Sequence, residues 1–150
     1  MAPQFSPYIA FPGTAAEAFD HYRELFGGEL MLTRYRDFDT SSFPFEVPGD
    51  AVAHAQLEGG LVTLAGGDSF GEGCHGAGPQ PLASDVYSFL IGMEDVQEAK
   101  DLAERIIAAG GELAMPIELA PWGDHYGQVK DRYGVLFALV VPGPGHGREG

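Results

Sequence analysis

Three polar side chains alternate along one short run, His54, Gln56 and Glu58, with Ala53, Ala55 and Leu57 between and before them. In a strand successive side chains point to opposite faces, so the polar three share one face and the apolar three the other. The apolar set is expected to meet a helix, which turns His54 and Gln56 toward an open cleft. Imidazole titrates near neutral pH, so His54 there could act as acid, base or hydrogen-bond donor, and it is the candidate catalytic residue. A second group follows late in the chain: Trp122, Asp124, His125, Tyr126 and Gln128. Tyr126 and Gln128 stand at places matching His54 and Gln56, and Trp122 and Tyr126 could supply stacking walls. Gln56, Trp122, His125, Tyr126 and Gln128 are thus candidate ligand contacts. The same residues have a plainer reading, in which Trp122-Gly123 closes a loop, Tyr126 packs and His54 is a hydrogen-bonded core histidine. A metal site drawn from His54, Glu58, Asp124 and His125 meets an obstacle, because adjacent Asp124 and His125 would face opposite ways on a strand. Cys74 and His75 lie in a glycine-rich stretch, Gly71–Gly78, without the rigid scaffold that a nucleophilic pair needs.

The elements that must position these groups come twice. Pro7–Phe11 is a short apolar run closed by Pro12-Gly13 and reads as a buried strand. Thr14 with Glu17 forms a capping-box pattern, and Ala15, Ala18, Phe19, Tyr22, Leu25 and Phe26 recur at helical spacing up to Gly27. His21 falls off that stripe and reads as solvated. Glu29–Arg36 resumes as a strand. A long loop, 37–50, carries Phe38, Phe43 and Phe45, which could form a lid or pack on a neighbouring surface. Ala51–Glu58, Gly59-Gly60 and Leu61–Ala65 read as a hairpin with a two-residue turn. After a Gly-, Pro- and Ser-rich stretch the order repeats: a strand at Val86–Met93, the cap pair Asp95 and Glu98, and a helical stripe of Val96, Ala99, Leu102, Ala103, Ile106 and Ile107. A strand at Glu112–Glu118 and a closing hairpin end the unit. Gly27-Gly-Glu-Leu30 recurs as Gly110-Gly-Glu-Leu113. The expected class is therefore α+β, with two tandem βαβββ modules (4–66 and 86–142), a linker (67–85) and a flexible tail (143–150) in one domain.

The 150 residues carry a formal charge of −14, with only eight Lys and Arg scattered singly, which argues against nucleic acid or an anionic membrane as partner. No apolar run reaches the length of a membrane span, and the N-terminus lacks a basic region followed by an apolar one. A lone cysteine fits a reducing compartment, so a cytoplasmic protein is expected.

Tandem βαβββ units, with Pro7-Tyr-Ile-Ala-Phe11, Glu17-Ala18 with Tyr22, Gly27-Gly-Glu-Leu30, His54-Ala-Gln-Leu57, Trp122-Gly-Asp-His-Tyr-Gly127 and Asp131-Arg-Tyr-Gly134, resemble the vicinal oxygen chelate superfamily, most closely its PhnB-type branch. The resemblance implies eight mixed strands curled around an open cleft, a homodimer, and a divalent metal held by side chains from the first and last strand of each module. Those positions fall here at Pro7, Leu64, Ser88 and Ala138, which lack a ligating set, so no metal cofactor is expected. Leu64 and Ala138 would instead line a greasy cleft. Nothing resembles a methyl-donor nucleotide site, although PhnB-type proteins have carried a methyltransferase label. The leading expectation is a module that sequesters or carries a small apolar or aromatic molecule. Two alternatives stand beside it: a metal-independent acid–base enzyme using His54, and a metal-dependent lyase or dioxygenase with a displaced site.

Overall fold

The computed structural model describes residues 5–39, 41, 48–69, 82 and 86–144. Phe43, Phe45, Cys74, His75 and His146 lie outside these residues, as does most of the expected linker and tail. The chain divides into two compact units, within Met1–Pro81 and Leu82–Gly150.

In the first unit the elements are β1 (Tyr8–Phe11), α1 (Ala15–Phe26), β2 (Glu29–Arg34), a single 3-10 turn (Tyr35–Asp37), β3 (Val52–Glu58) and β4 (Leu64–Asp68). The strands form one mixed sheet in the order β1-β4-β3-β2, with β1 parallel to β4 and the other pairs antiparallel. The second unit repeats this with β5 (Phe89–Gly92), α2 (Val96–Ala108), β6 (Glu112–Leu119), β7 (His125–Lys130) and β8 (Leu136–Val141), in the order β5-β8-β7-β6. The architecture is α+β, two βαβββ modules with one four-stranded sheet each.

Each helix buries one stripe against one face of its sheet. In α1 the buried residues are Ala15, Ala18, Phe19, Tyr22, Leu25 and Phe26. Phe11, Phe19, Tyr22 and Phe26 form a chain of ring contacts with centroids 5.7, 5.8 and 5.9 Å apart. Each such ring taken out of water contributes about 1.5–3 kcal/mol. From the sheet, Ile9, Phe11, Ala55 and Leu57 are buried on the α1 side. In the second unit Ala99, Leu102, Ala103 and Ile106 of α2 are buried, as are Ile91, Val129, Phe137 and Leu139 of the sheet.

Three of the differences from the sequence expectation bear on how the first module is built, beside strands that are shorter than expected at Glu29–Arg34 and Phe89–Gly92. Thr14 makes no side-chain cap to α1. The Ala15 N–H donates instead to Asp68 Oδ1 (2.8 Å), and the Val52 N–H donates to Asp68 Oδ2 (2.9 Å). A carboxylate from β4 is the stronger acceptor at a helix N-terminus and displaces the neutral hydroxyl from that role. In α2 the expected residue does cap, with Asp95 accepting from the Glu98 N–H at 3.0 Å.

The hairpin between β3 and β4 is not a two-residue turn, because residues 59–63 all lie outside the strands. Gly28 and Gly60 let two chain crossings touch backbone to backbone. A Cβ on Gly60 would lie 2.3 Å from the Gly27 carbonyl oxygen, and one on Gly28 2.6 Å from that of Glu58. This docking takes the residues that a tight turn would use.

β4 lies further along the chain than Leu61–Ala65 and takes in Gly67 and Asp68 beyond the expected module boundary. The Gly66-Gly67 pair reads locally as a strand breaker. Here Gly66 passes between the Ile9 carbonyl and the Phe19 ring, where a Cβ would meet them at 2.4 and 3.0 Å.

The Asp68 tie generates a test. Asp68→Ala should lower the unfolding free energy by about 1–3 kcal/mol, whereas Thr14→Ala should change it by less than about 0.5 kcal/mol. Urea unfolding of both variants checks this, and an equal loss in the two would contradict the assignment.

Candidate functional site

The face of the first sheet turned away from α1 is built in cross-strand rows. Tyr8, Ala65, Gln56 and Met31 face one another across the four strands, and His54 pairs with Thr33 in the next row. Ala55 and Leu57 go to the core, so His54, Gln56 and Glu58 share the open face as period two requires. A bulge where Thr33 and Arg34 face His54 and Val52 lets Val52 turn into the core despite its even spacing from His54.

A depression of about 500 Å³ opens on this face. His54, Gln56 and Glu58 line it from β3, Thr63 and Ala65 from the β4 side, and Ser6 with Phe5 from the chain before β1. The Gln56 Nε2 amide donates to Glu58 Oε2 at 3.1 Å, and His54 Nε2 stands 3.4 Å from Gln56 Oε1. The Tyr8 ring stacks on the His54 imidazole with centroids 6.1 Å apart and planes 27° apart. Gly67 makes this arrangement possible, since a Cβ there would lie 2.9 Å from the Tyr8 hydroxyl oxygen. Tyr8 is 59% exposed, and the partial burial of its phenol raises its pKa above the ordinary 10.0.

The second unit carries a related face. Leu90, Ala138, Gln128 and Met115 form its row, matching Tyr8, Ala65, Gln56 and Met31. Gln128 Nε2 donates to the Tyr126 hydroxyl at 3.2 Å, so Tyr126 occupies the place of His54. His125 pairs with Val141 and alternates to the opposite face of β7, away from Tyr126 and Gln128. Trp122 is 59% exposed in the turn before β7, where the Gly123 N–H donates to the Ala120 carbonyl and Gly123 has a φ of 102°. Phe38 is likewise exposed, and His21 is half-buried rather than solvated.

Leu64 does not line the depression. It pairs with Leu57 on the α1 side and is only 2% exposed. Ala138 does lie in an open-face row, but its counterpart in the ladder is Ala65. Leu64 and Ala138 are thus not equivalent positions, and the sequence register was off by one on β4. Ser6, Tyr8 and Thr63 are the lining or neighbouring residues that sequence reasoning did not select. Alternation back along β4 from Gly67 reaches Ala65 and Thr63, whereas Tyr8 and Ser6 come to this face only through the pairing of β1 with β4.

Residues 4–139 match the pattern of the Glyoxalase/Bleomycin resistance protein/Dioxygenase superfamily. The chain belongs to that superfamily. It is 24% identical over 145 residues to Protein YjdN of Escherichia coli (strain K12), covering 91% of this chain and 93% of that one. The crystal structure of protein PA1353 from Pseudomonas aeruginosa is similar with a TM-score of 0.70 and 27% identity, over 94% of this chain and 98% of the other. A PhnB protein from Bacillus cereus, which also bears a 3-demethylubiquinone-9 3-methyltransferase name, is similar with a TM-score of 0.62 and 22% identity, over 93% and 99% of the two chains. At that identity the likeness is one of fold.

The divalent metal that the superfamily resemblance implies needs several His or carboxylate side chains converging on one point. Pro7 and Ala138 supply no donor side chain, Leu64 is turned into the core, and Ser88 offers one exposed hydroxyl. Among the described residues no three His, Cys, Asp or Glu side chains converge. On β3 the Gln56 amide stands between His54 and Glu58 and engages both. These residues do not fit the four-ligand centre. Also among the described residues, no helix is long and apolar enough to cross a membrane.

Tyr8 provides a pH test. The unfolded phenol ionises near 10.0 while the folded one holds its proton higher, so the stability this difference gives is complete below that value and is lost as pH rises from the unfolded toward the folded pKa. Urea midpoints taken from about pH 9 to about pH 11 should fall more steeply in the wild type than in Tyr8→Phe.

Proposed function

We propose that this protein binds a small planar or aromatic molecule on the open face of its first module, without the superfamily metal. The observation that carries this reading is the depression with a hydrogen-bonded polar floor and the Tyr8–His54 stack beside it. A stacked pair offers a flat apolar surface, and His54, Gln56 and Thr63 offer directional polar contacts that fix orientation. The lining is more polar than a greasy cleft of Leu64 and Ala138 would be, so the ligand carries hydrogen-bonding groups as well as a ring. Tyr126 and Gln128 give the second module a related but histidine-free face, consistent with a division of labour between the modules.

A second reading, proton transfer by His54, has one observation in its favour. Gln56 links His54 to Glu58, so the imidazole is oriented rather than free to rotate. The two readings part on substitution. In a binding protein His54→Ala should weaken binding of a co-purified small molecule only modestly, and EDTA should leave that binding unchanged. In an acid–base enzyme the same change should cut turnover of that molecule by about 10²–10⁴. Native mass spectrometry identifies the co-purified molecule and its retention in each variant. Loss of the molecule on chelation would overturn the metal-free reading, and its retention in a Gln56→Trp variant that fills the depression would overturn the site.

A further inference from the structure

The open face of the first module is one-sided in charge. Among the described residues, Glu58 is the one formally charged side chain lining the depression. Directly across the ladder from it, on the same face, stands Glu29. Like charges at opposed positions on neighbouring strands repel. Among the described residues neither carboxylate forms an ion pair with a Lys, Arg or His. The second module answers the same position differently. In its copy of the Gly-Gly-Glu-Leu motif, Glu112 stands across from Lys130, an opposite-charge pair. The rows beside these pairs are otherwise alike, with Gln56 and Gln128 facing Ala65 and Ala138. The repulsion thus sits on the face that carries this depression, and the matching position of the repeat holds a lysine.

Hydrogen-bond polarity points the same way. Gln56 turns its amide N–H₂ to Glu58 and therefore its carbonyl to His54, so His54 Nε2 is the nitrogen that carries hydrogen in this contact. With Nε2 the donor, Nδ1 is an acceptor whenever the ring is uncharged, in addition to the remaining acceptor capacity of Glu58. The formal charge of −14 adds a long-range attraction for cations. Resting on the reading that the depression binds a small molecule, we infer that it selects a cation, with an amidinium, guanidinium or ammonium group set against Glu58 and the planar part toward Ala65 and the Tyr8–His54 stack. Glu58 is the residue that sets this charge preference.

The test uses three probes with one ring and three charges: benzamidine, benzamide and benzoate. Each is titrated into the full-length protein while the methyl resonances of Met31 and Met115 are followed, the first reporting on the face with Glu58 and the second on the related face with Lys130. Benzamidine should shift Met31 and bind about three- to tenfold tighter than benzamide, with benzoate weakest. Glu58→Gln should bring benzamidine down to about the affinity of benzamide in the same variant, and Glu58→Lys should favour benzoate. If benzamidine and benzamide bind the Met31 face equally, or Glu58→Gln weakens all three alike, charge selection is wrong while the binding reading stands. Equal benzamidine shifts at Met31 and Met115 would show diffuse attraction to an acidic protein and would also overturn it. If no probe moves Met31, both readings fall together.

Discussion

Each four-stranded sheet here has one helix, and one helix can cover only one face. That constraint governs what every strand residue does. Because side chains alternate, burying Ala55 and Leu57 under α1 commits His54, Gln56 and Glu58 to the other side, and no rotation of the strand can change one set without the other. The open face is therefore not a surface left over after folding. Its composition is fixed by the same register that builds the core, and a β3 slipped by one residue would lose the burial of Ala55 and Leu57 and the polar row together.

The open face is also shaped by what is missing from it. Gly67 has no side chain where the Tyr8 hydroxyl lies, so the phenol can reach across β4 to the imidazole of His54. On the reverse side Gly66 admits the edge of the Phe19 ring. Two adjacent glycines thus serve opposite faces of one strand. In the second module the matching strand, β8, is filled with Phe137, Ala138, Leu139 and Val140, and no tyrosine crosses it. The modules share a backbone plan and differ in how much of the open face is floor and how much is side chain.

This contrast marks how far the sequence could be read. Both helices, the doubled βαβββ order and the equivalence of Gly27-Gly-Glu-Leu30 with Gly110-Gly-Glu-Leu113 were legible, because helical stripes and repeated motifs are local signals. The sharing of a face by His54 and Gln56, and by Tyr126 and Gln128, also followed from alternation alone, whereas grouping His125 with Tyr126 and Gln128 as ligand contacts went against it, since His125 lies on the opposite face of β7. β4 was not legible. Its glycines carry no period-two pattern, and their reason for being there lies in Ile9, Phe19 and Tyr8, far off in the chain. Losing that strand displaced Leu64 onto the wrong face and hid Tyr8 and Thr63. The cap of α1 failed for a similar reason. Thr14 and Glu17 make a plausible local pair, but a charged acceptor 53 residues away takes the position.

The two helices therefore depend on chain segments of very different reach. The cap of α2 comes from Asp95, next to its first turn, and is available as soon as that turn forms. The cap of α1 waits for Asp68, which arrives only after β3 and β4 have come into place. Helix nucleation is costly and closing a long loop before any contact rewards it is slow, so the order of assembly should run against the order of synthesis. The earlier-made half of the chain would acquire protected helical amides later than the half that follows it, a sequence of events that pulse-labelled hydrogen exchange resolves.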